Sequence, residues 1–433
     1  MRVLSRRLGV PASSLLRQAG VYTVSNLLSR AFPFLLLPIM TRFLSPADYG
    51  IVAMFALTTT VLEPFISVGL AGALTVTYYD KSTDLAAYLG TGLIMVATIA
   101  LPFLALLLLL GDQISSVTSV PALWLVLVVP YIVARAVGSS LLALLRVREK
   151  AVLFSLFQNL QTVGAIVLAL VLVIALQLAW RGRVAADLVI AGAFAVGSLV
   201  WLRRSGWLRF EYVRTYARQI ATFGVPLIPH TLGAALILQT DRLFLTNLVG
   251  VDETGIYTVG YQLALVIELV AVSFNYAYAP WLFRRLTDGD DHVKRQLVRY
   301  TYVQFAGMAV LAATVAIVMP WLAGMLLDRS FAGSGEFVGW FALGFFFSGL
   351  YYMVTNYIFY AQRTRWLAAV TITVAAINVP LTYGLIKLNG AVGAAQAMSI
   401  SLGLSFLFTW IVSQRVYPMP WFGRFSRSSE GPS

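Results

Sequence analysis

The sequence predicts an all-α membrane protein: twelve transmembrane helices in two six-helix lobes related by a parallel pseudo-two-fold repeat. Three observations carry that prediction. Apolar residues make up 59% of the chain and charged residues 11%, against about 25% charged in soluble domains. Apolar runs of roughly 20 residues, enough to span a bilayer as a helix, fill nearly the whole length. The chain also repeats itself: Gly50-Ile51, Val61 and Glu63 recur at one constant spacing as Gly255-Ile256, Val266 and Glu268. An acid stands two residues before each glycine, Asp48 and then Glu253.

The elements follow in order. The run near 15–40 comes after a basic start and mimics a signal peptide. It is too long for an h-region and lacks a small-residue cleavage site, so it is expected to stay as the first helix. Spans at 49–72, 86–110, 120–145, 151–178 and 185–202 complete an N-lobe over 1–202. Segment 203–220 carries Trp207, Phe210, Val213 and Ile220 at near-helical spacing, with Arg209, Arg214 and Arg218 on other faces. That pattern predicts a cytoplasmic amphipathic linker helix lying in the interface; a plain basic tether fits as well. Spans at 221–249, 255–281, 299–320, 336–361, 367–388 and 391–414 build a C-lobe over 221–415, leaving 416–433 as a cytoplasmic tail. Six spans per half is even, so both halves enter the bilayer in one orientation. Parallel repeats of that kind hold substrate between them near the midplane. A β-barrel would show alternating segments of about 10 residues instead. Pro33, Pro38, Pro64, Pro226, Pro229 and Pro380 fall inside spans and are read as bends that close the bundle.

The formal net charge is +13, and its distribution argues against nucleic acid. With the N-terminus inside, most of the 31 basic residues lie in cytoplasmic segments. The opposite loops hold Arg42, Arg181, Arg183, Arg329 and Lys387. This bias puts both termini in the cytoplasm and adds some attraction to anionic headgroups. The absence of cysteine excludes disulfides, thiolate chemistry and cysteine metal sites. There is no Walker loop, HExxH or GxSxG, and the two histidines lie far apart. No catalytic residue, cofactor or metal is expected, and the 284–299 loop with His292 reads as a solvated connector.

Chemistry therefore falls to ionisable residues inside the spans: Arg30, Glu63, Arg135, His230, Asp241, Arg242 and Glu268. Each charge costs at least about 2.5–3.5 kcal/mol at mid-bilayer, and such residues face the bundle interior or a wet path. Arg30 and Glu63 reach the same depth on neighbouring helices, as a buried salt bridge or as a working pair. Asp241 and Arg242 point about 100° apart and cannot simply pair with each other; one is expected at the cavity and the other at a helix contact. Arg135 has no acid in its own span, which makes it the first candidate for an external anion, since a guanidinium fork suits phosphate oxygens. Capping of carbonyls, or pairing with Glu63, is its alternative role. Glu63, Asp241 and Glu268 are candidate cavity or coupling carboxylates. The aromatics of the tenth span, Phe345 to Phe347, Tyr351, Tyr352, Tyr357 and Tyr360, are read as packing first and as a sugar-stacking wall second.

The segment Leu37-Pro38-Ile39-Met40-Thr41-Arg42-Phe43-Leu44-Ser45-Pro46-Ala47-Asp48-Tyr49-Gly50-Ile51 resembles the P-x-x-T-R-x-L-x-P-x-x-Y-G signature of bacterial polysaccharide exporters. Phe223-Gly224-Val225-Pro226-Leu227 resembles their entry to the seventh helix. Asp241-Arg242, followed by Val249-Gly250 and Gly255-Ile256-Tyr257, resembles a further stretch. These exporters are the Wzx-like O-antigen flippases of the multidrug/oligosaccharidyl-lipid/polysaccharide superfamily. The resemblance implies an alternating-access flippase in the bacterial inner membrane that serves surface polysaccharide and lipopolysaccharide synthesis. Its cargo would be an undecaprenyl-diphosphate-linked oligosaccharide, with membrane lipids and polymerase machinery as partners. It also implies cavity-facing arginines on the diphosphate, for which Arg30, Arg135 and Arg242 are the candidates. The alternative within the superfamily is a cation-coupled small-molecule or multidrug antiporter. Its first helix usually presents an acid, where this chain has Arg30. A membrane-embedded glycosyltransferase would need a large outer loop or interfacial metal-binding acids.

Overall fold

Ser45-Pro46-Ala47-Asp48 starts the first fully described helix, α1 (Pro46–Ser67), with a reciprocal cap. The Ser45 hydroxyl accepts from the Asp48 amide, and the Asp48 carboxylate accepts from the Ser45 amide at 2.8 Å. Proline in the first turn needs no partner for a missing N–H. The acid before the repeated glycine is thus a helix cap. In the computed structural model the described residues are 34, 36–287, 291–361 and 363–421, without the side chains of His230 and Thr364. Arg30 lies outside them. Every regular element among the described residues is helical.

The further elements are α2 (Leu70–Thr77), α3 (Leu85–Leu109), α4 (Gly111–Thr118), α5 (Ala122–Val126), α6 (Val128–Val147), α7 (Ala151–Leu170) and α8 (Ala179–Arg204). Then come α9 (Arg214–Gly224), α10 (Ile228–Leu248), α11 (Val251–Leu286), α12 (Asp291–Leu326), α13 (Ser334–Tyr360) and α14 (Thr364–Val416). Nine helices among the described residues are long and apolar enough to cross a bilayer, and ten with the bent α9–α10 pair taken as one. α14 is itself two expected spans joined at Gly390, where φ is 58° and ψ −141°. Helices thus occupy the places of all expected spans from the second to the twelfth. The chain divides into two compact units. Of the described residues, one unit holds those up to 235 with 242–258 and 327–331; the other holds 236–241 and the rest from 259 onward.

The first unit departs from expectation in three places. The span drawn over 49–72 is broken: Val68 and Gly69 both sit in the left-handed region, at φ 46° and 62°. The backbone of Gly224 packs against this break, where an added Cβ would meet the Val68 carbonyl oxygen at 1.8 Å. The eighth element begins at Ala179, not 185, because Arg183 and Asp187 neutralise each other across one turn and let a charged turn join an apolar helix. Finally, the expected linker helix over 203–220 is helical only at its ends. Between α8 and α9 the chain runs non-helically along the start of α3. The Arg209 amide donates to the Ala86 carbonyl at 3.1 Å, and the Thr91 hydroxyl donates to the Glu211 carbonyl at 2.8 Å. Backbone pairing won there over side-chain periodicity.

Asp84 holds that docking. It caps α3 by accepting from the Ala86 and Ala87 amides, and it binds the Arg209 guanidinium at 2.6 Å. The Ala87 amide first, and Arg209 second, hold its carboxyl below the usual range. A carboxylate lowered on folding stabilises above its unfolded pKa, and the gain fades as pH falls through the folded one. Linker protection against protease is therefore expected to drop as pH falls below the ordinary carboxylate range. Asp84→Ala is expected to lose the cap at neutral pH, at about 1 kcal/mol, and to flatten that pH dependence.

The second unit is knit by aromatics. Phe341 and Phe345 of α13 flank Tyr261, and Phe347 stacks on Phe406. The beginning of the expected tail folds back: the Tyr302 hydroxyl donates to the Trp421 carbonyl at 2.7 Å, and Tyr357 stacks on Tyr417. These rings pack against each other, the first of the two roles expected for them.

The repeated glycines meet inside the first unit. A Cβ on Gly50 would lie 2.1 Å from the Val251 carbonyl oxygen, and one on Gly255 would lie 1.8 Å from the Pro46 carbonyl oxygen. Pro46 and Val251 are themselves repeat-equivalent. The first turns of α1 and α11 thus cross at a reciprocal contact that only glycine permits.

Candidate functional site

Glu63 lies in the last turns of α1, just before Pro64. Thr58, Thr59 and Thr60 above it return their hydroxyls to carbonyls four residues back. Their polarity is spent on their own helix, which leaves the carboxylate to reach outward. It reaches Arg135 of α6: Oε2 lies 3.4 Å from Nη2, with side-chain exposures of 35% and 43%. That separation is a loose ion pair, beyond the 2.7–2.9 Å of a good charge-assisted bond. Arg135 also lies over the Tyr131 ring, 5.6 Å from its centroid. Arg135 has no acid in its own span, and its companion comes from α1: pairing with Glu63, the alternative role the sequence allowed it, is the observed arrangement.

Two residues missed in the sequence extend this cluster. Arg183 Nη1 bonds Asp187 Oδ1 at 2.6 Å along α8, with exposures of 31% and 27%. Their helix, α8, packs against both α6, which carries Tyr131 and Arg135, and α1, which carries Tyr49. Trp124 against Trp180 at 5.0 Å fixes the start of α8 beside α5, and Asp48 accepts from the Trp180 amide at 3.4 Å. The missed signal was present: Asp187 lies inside the expected span, four residues after an arginine, which is the spacing of a helical ion pair.

The remaining candidates are placed as follows. Asp241 and Arg242 of α10 are both buried. Arg242 lies over the Tyr257 ring at 5.9 Å, a cation–π contact inside the first unit. In the second unit, the Tyr352 hydroxyl donates to Glu268 Oε1, and Asn356 donates to Asn275 at 2.8 Å two turns further along α11. Glu63 and Glu268 thus each reach the fourth helix of their own half, α6 and α13. One finds a guanidinium there and the other a phenol. The structure does not gather all candidates into one cluster: Glu63 with Arg135 belongs to the first unit, and Glu268 to the second.

The arrangement in the first unit suits anion handling. Arg135, Arg183, Glu63 and Asp187 sum to zero charge, yet the inner pair is loose and partly open. An incoming anion can compete with Glu63 for Arg135 without first breaking a tight bidentate pair.

Comparison with known proteins fits this geometry. An uncharacterized membrane protein of Haemophilus influenzae is 23% identical over 384 residues, covering 86% of this chain and 91% of its own. A protein of the Lsg locus of the same organism is 24% identical over 410 residues, covering 90% and 97%. Among solved structures, the lipid II flippase MurJ in an inward closed conformation superposes with a TM-score of 0.74 at 13% identity, covering 90% of this chain and 87% of that one. An inward-facing multidrug resistance MATE transporter of the MOP superfamily gives 0.72 at 13% identity, covering 91% and 94%. These likenesses establish the fold. Residues 15–286 match the family described as polysaccharide biosynthesis protein, and the chain belongs to that family, as a multi-pass membrane protein with the MOP-superfamily fold.

Proposed function

We propose that this protein is a flippase that carries an undecaprenyl-diphosphate-linked oligosaccharide from the cytoplasmic to the outer leaflet of the bacterial inner membrane. Flipping a charged, sugar-bearing headgroup through hydrocarbon needs a polar path with anion partners. The observation that carries the proposal is Arg135: a partly exposed guanidinium within an apolar span, held at 3.4 Å by one carboxylate. Arg135 is the first diphosphate contact, with Arg30 and Arg242 as further candidates and Glu63, Asp241 and Glu268 as coupling carboxylates. The two lobes move by alternating access, both termini are cytoplasmic, and polymerase machinery receives the product.

The test replaces Arg135 in a flippase-deleted host and measures surface polysaccharide, with protein level checked in membranes. Lysine keeps the charge and loses the fork; alanine loses both. The expected order is wild type above Lys above Ala, with Ala down at least about tenfold, the equivalent of 1.4 kcal/mol. Normal export by well-expressed Arg135→Ala would refute the assignment. Orientation is checked on this cysteine-free chain by single cysteines: position 252 is expected to label from outside and position 292 from the cytoplasm. The second reading, a cation-coupled small-molecule antiporter, is favoured by the carboxylate–phenol pair of Glu268 and Tyr352. Proton-driven movement of organic cations in vesicles would select it.

A further inference from the structure

The polar groups of the first unit form a ladder rather than a single site. Tyr49 and Glu63 are fourteen residues apart on α1, about 21 Å along its axis at 1.5 Å per residue. Tyr131 of α6 lies against Phe55 between them, Arg135 of α6 meets Glu63, and α8, which carries the Arg183–Asp187 pair, packs on the same helix. Arg183 is in the second turn of α8, next to the capped first turn of α1. Arg135 lies deeper, against the last turns of α1. Asp187 bonds Arg183 directly, and α8 packs along α6, the helix that carries Arg135.

We infer that Arg183 is a second, outer station for a diphosphate group, and that Asp187 is a counter-ion shared between it and Arg135. This rests on the flippase reading above and deepens it. At the inner station a diphosphate displaces Glu63 from its loose pair with Arg135. At the outer station it must displace Asp187 from a tight pair with Arg183. Once released, Asp187 neutralises Arg135, so the inner station closes behind the departing anion. One carboxylate thereby gives two arginines an order of use. Each guanidinium is partly exposed, as an exchanging partner must be, and neither can shed its own charge.

The experiment is isothermal titration of the full-length protein in phosphatidylcholine nanodiscs, with inorganic pyrophosphate and with farnesyl diphosphate. Arg183→Gln is expected to weaken both probes about tenfold, one charge-assisted contact at 1.4 kcal/mol per decade. Asp187→Asn removes the competitor for Arg183 and is expected to tighten both at least about threefold. A merely structural ion pair would move both variants in the same direction, so opposite signs distinguish a station from a brace. The double variant Asp187→Asn with Arg183→Gln leaves no unpaired charge on α8 and is expected to fold normally and to bind more tightly than Arg183→Gln alone, because no carboxylate is freed to neutralise Arg135; equal binding by the two would overturn the shared counter-ion. If Arg135→Ala weakens binding while Arg183→Gln and Asp187→Asn do not change it, the outer station is overturned and the flippase reading stands. If none of the three changes binding, both fall. Loss on inorganic pyrophosphate alone would overturn the assignment to a lipid-borne cargo.

Discussion

Gly255→Ala is expected to prevent stable folding of the protein or to lower its stability by more than about 3 kcal/mol, beyond the usual 1–3 kcal/mol of an overpacked contact. The added Cβ would fall 1.8 Å from the Pro46 carbonyl oxygen and 3.0 Å from the Gly50 amide nitrogen. Both are backbone atoms, so no rotamer change relieves the overlap. Gly50→Ala meets the Val251 carbonyl oxygen at 2.1 Å and is expected to behave alike. The control is Gly192→Ala in α8, where nothing lies within 4 Å of an added Cβ. There the exchange is expected to be neutral or stabilising by up to about 1 kcal/mol, the helix-propensity difference. Thermal unfolding of detergent-purified protein, followed by size-exclusion fluorescence, separates the two cases. A Gly255→Ala midpoint equal to wild type would rule out the close crossing.

The second large effect is an asymmetry between Glu63 and Arg135. Breaking a buried pair by removing one partner costs about 3–5 kcal/mol. Both side chains here are at least a third exposed, so about 1–2 kcal/mol is the discounted expectation. Glu63→Ala is expected to be the worse single change, because it strands a guanidinium that cannot lose its proton. Arg135→Ala leaves a carboxyl group, which can become neutral by accepting one. The double change is expected to be milder than either single change, giving a coupling of about 1 kcal/mol in a double-mutant cycle. Additive losses would show that the two groups do not interact.

How much of this was legible depended on the kind of signal. Apolar run length placed the helices well, because spanning a bilayer sets a minimum that few other constraints disturb. The paired Gly50 and Gly255 and the paired Glu63 and Glu268 marked the repeat, although their contacts lay beyond the sequence. That Glu63 meets Arg135 depends on which faces of α1 and α6 oppose each other, and helical period alone does not fix the rotation between helices. Arg183 reads as a loop residue when its charge is taken alone. Its partner four residues on turns an apparent loop into the first turns of α8. The helical reading of 203–220 departs from the structure for the opposite reason. Its apolar spacing suits a helix, but Ala86 and Thr91 at the head of α3 offer backbone and hydroxyl partners that hold 209–213 in another form. The break at Val68 carries no strong local cue on its own residue, since valine rarely adopts a left-handed backbone.

The reciprocal crossing of α1 and α11 also says something about ancestry. In a symmetric dimer, an isologous contact pairs residue i of one subunit with j of the other, and j with i. Pro46 with Gly255 and Val251 with Gly50 obey that rule within a single chain. A half-length ancestor that paired with its own copy through this turn would have placed one glycine and one carbonyl in both roles. Gene duplication and fusion would then keep the contact and free every other position to diverge. The guanidinium at Arg135 and the phenol at Tyr352, each facing a matched glutamate, are the divergence such a history would leave.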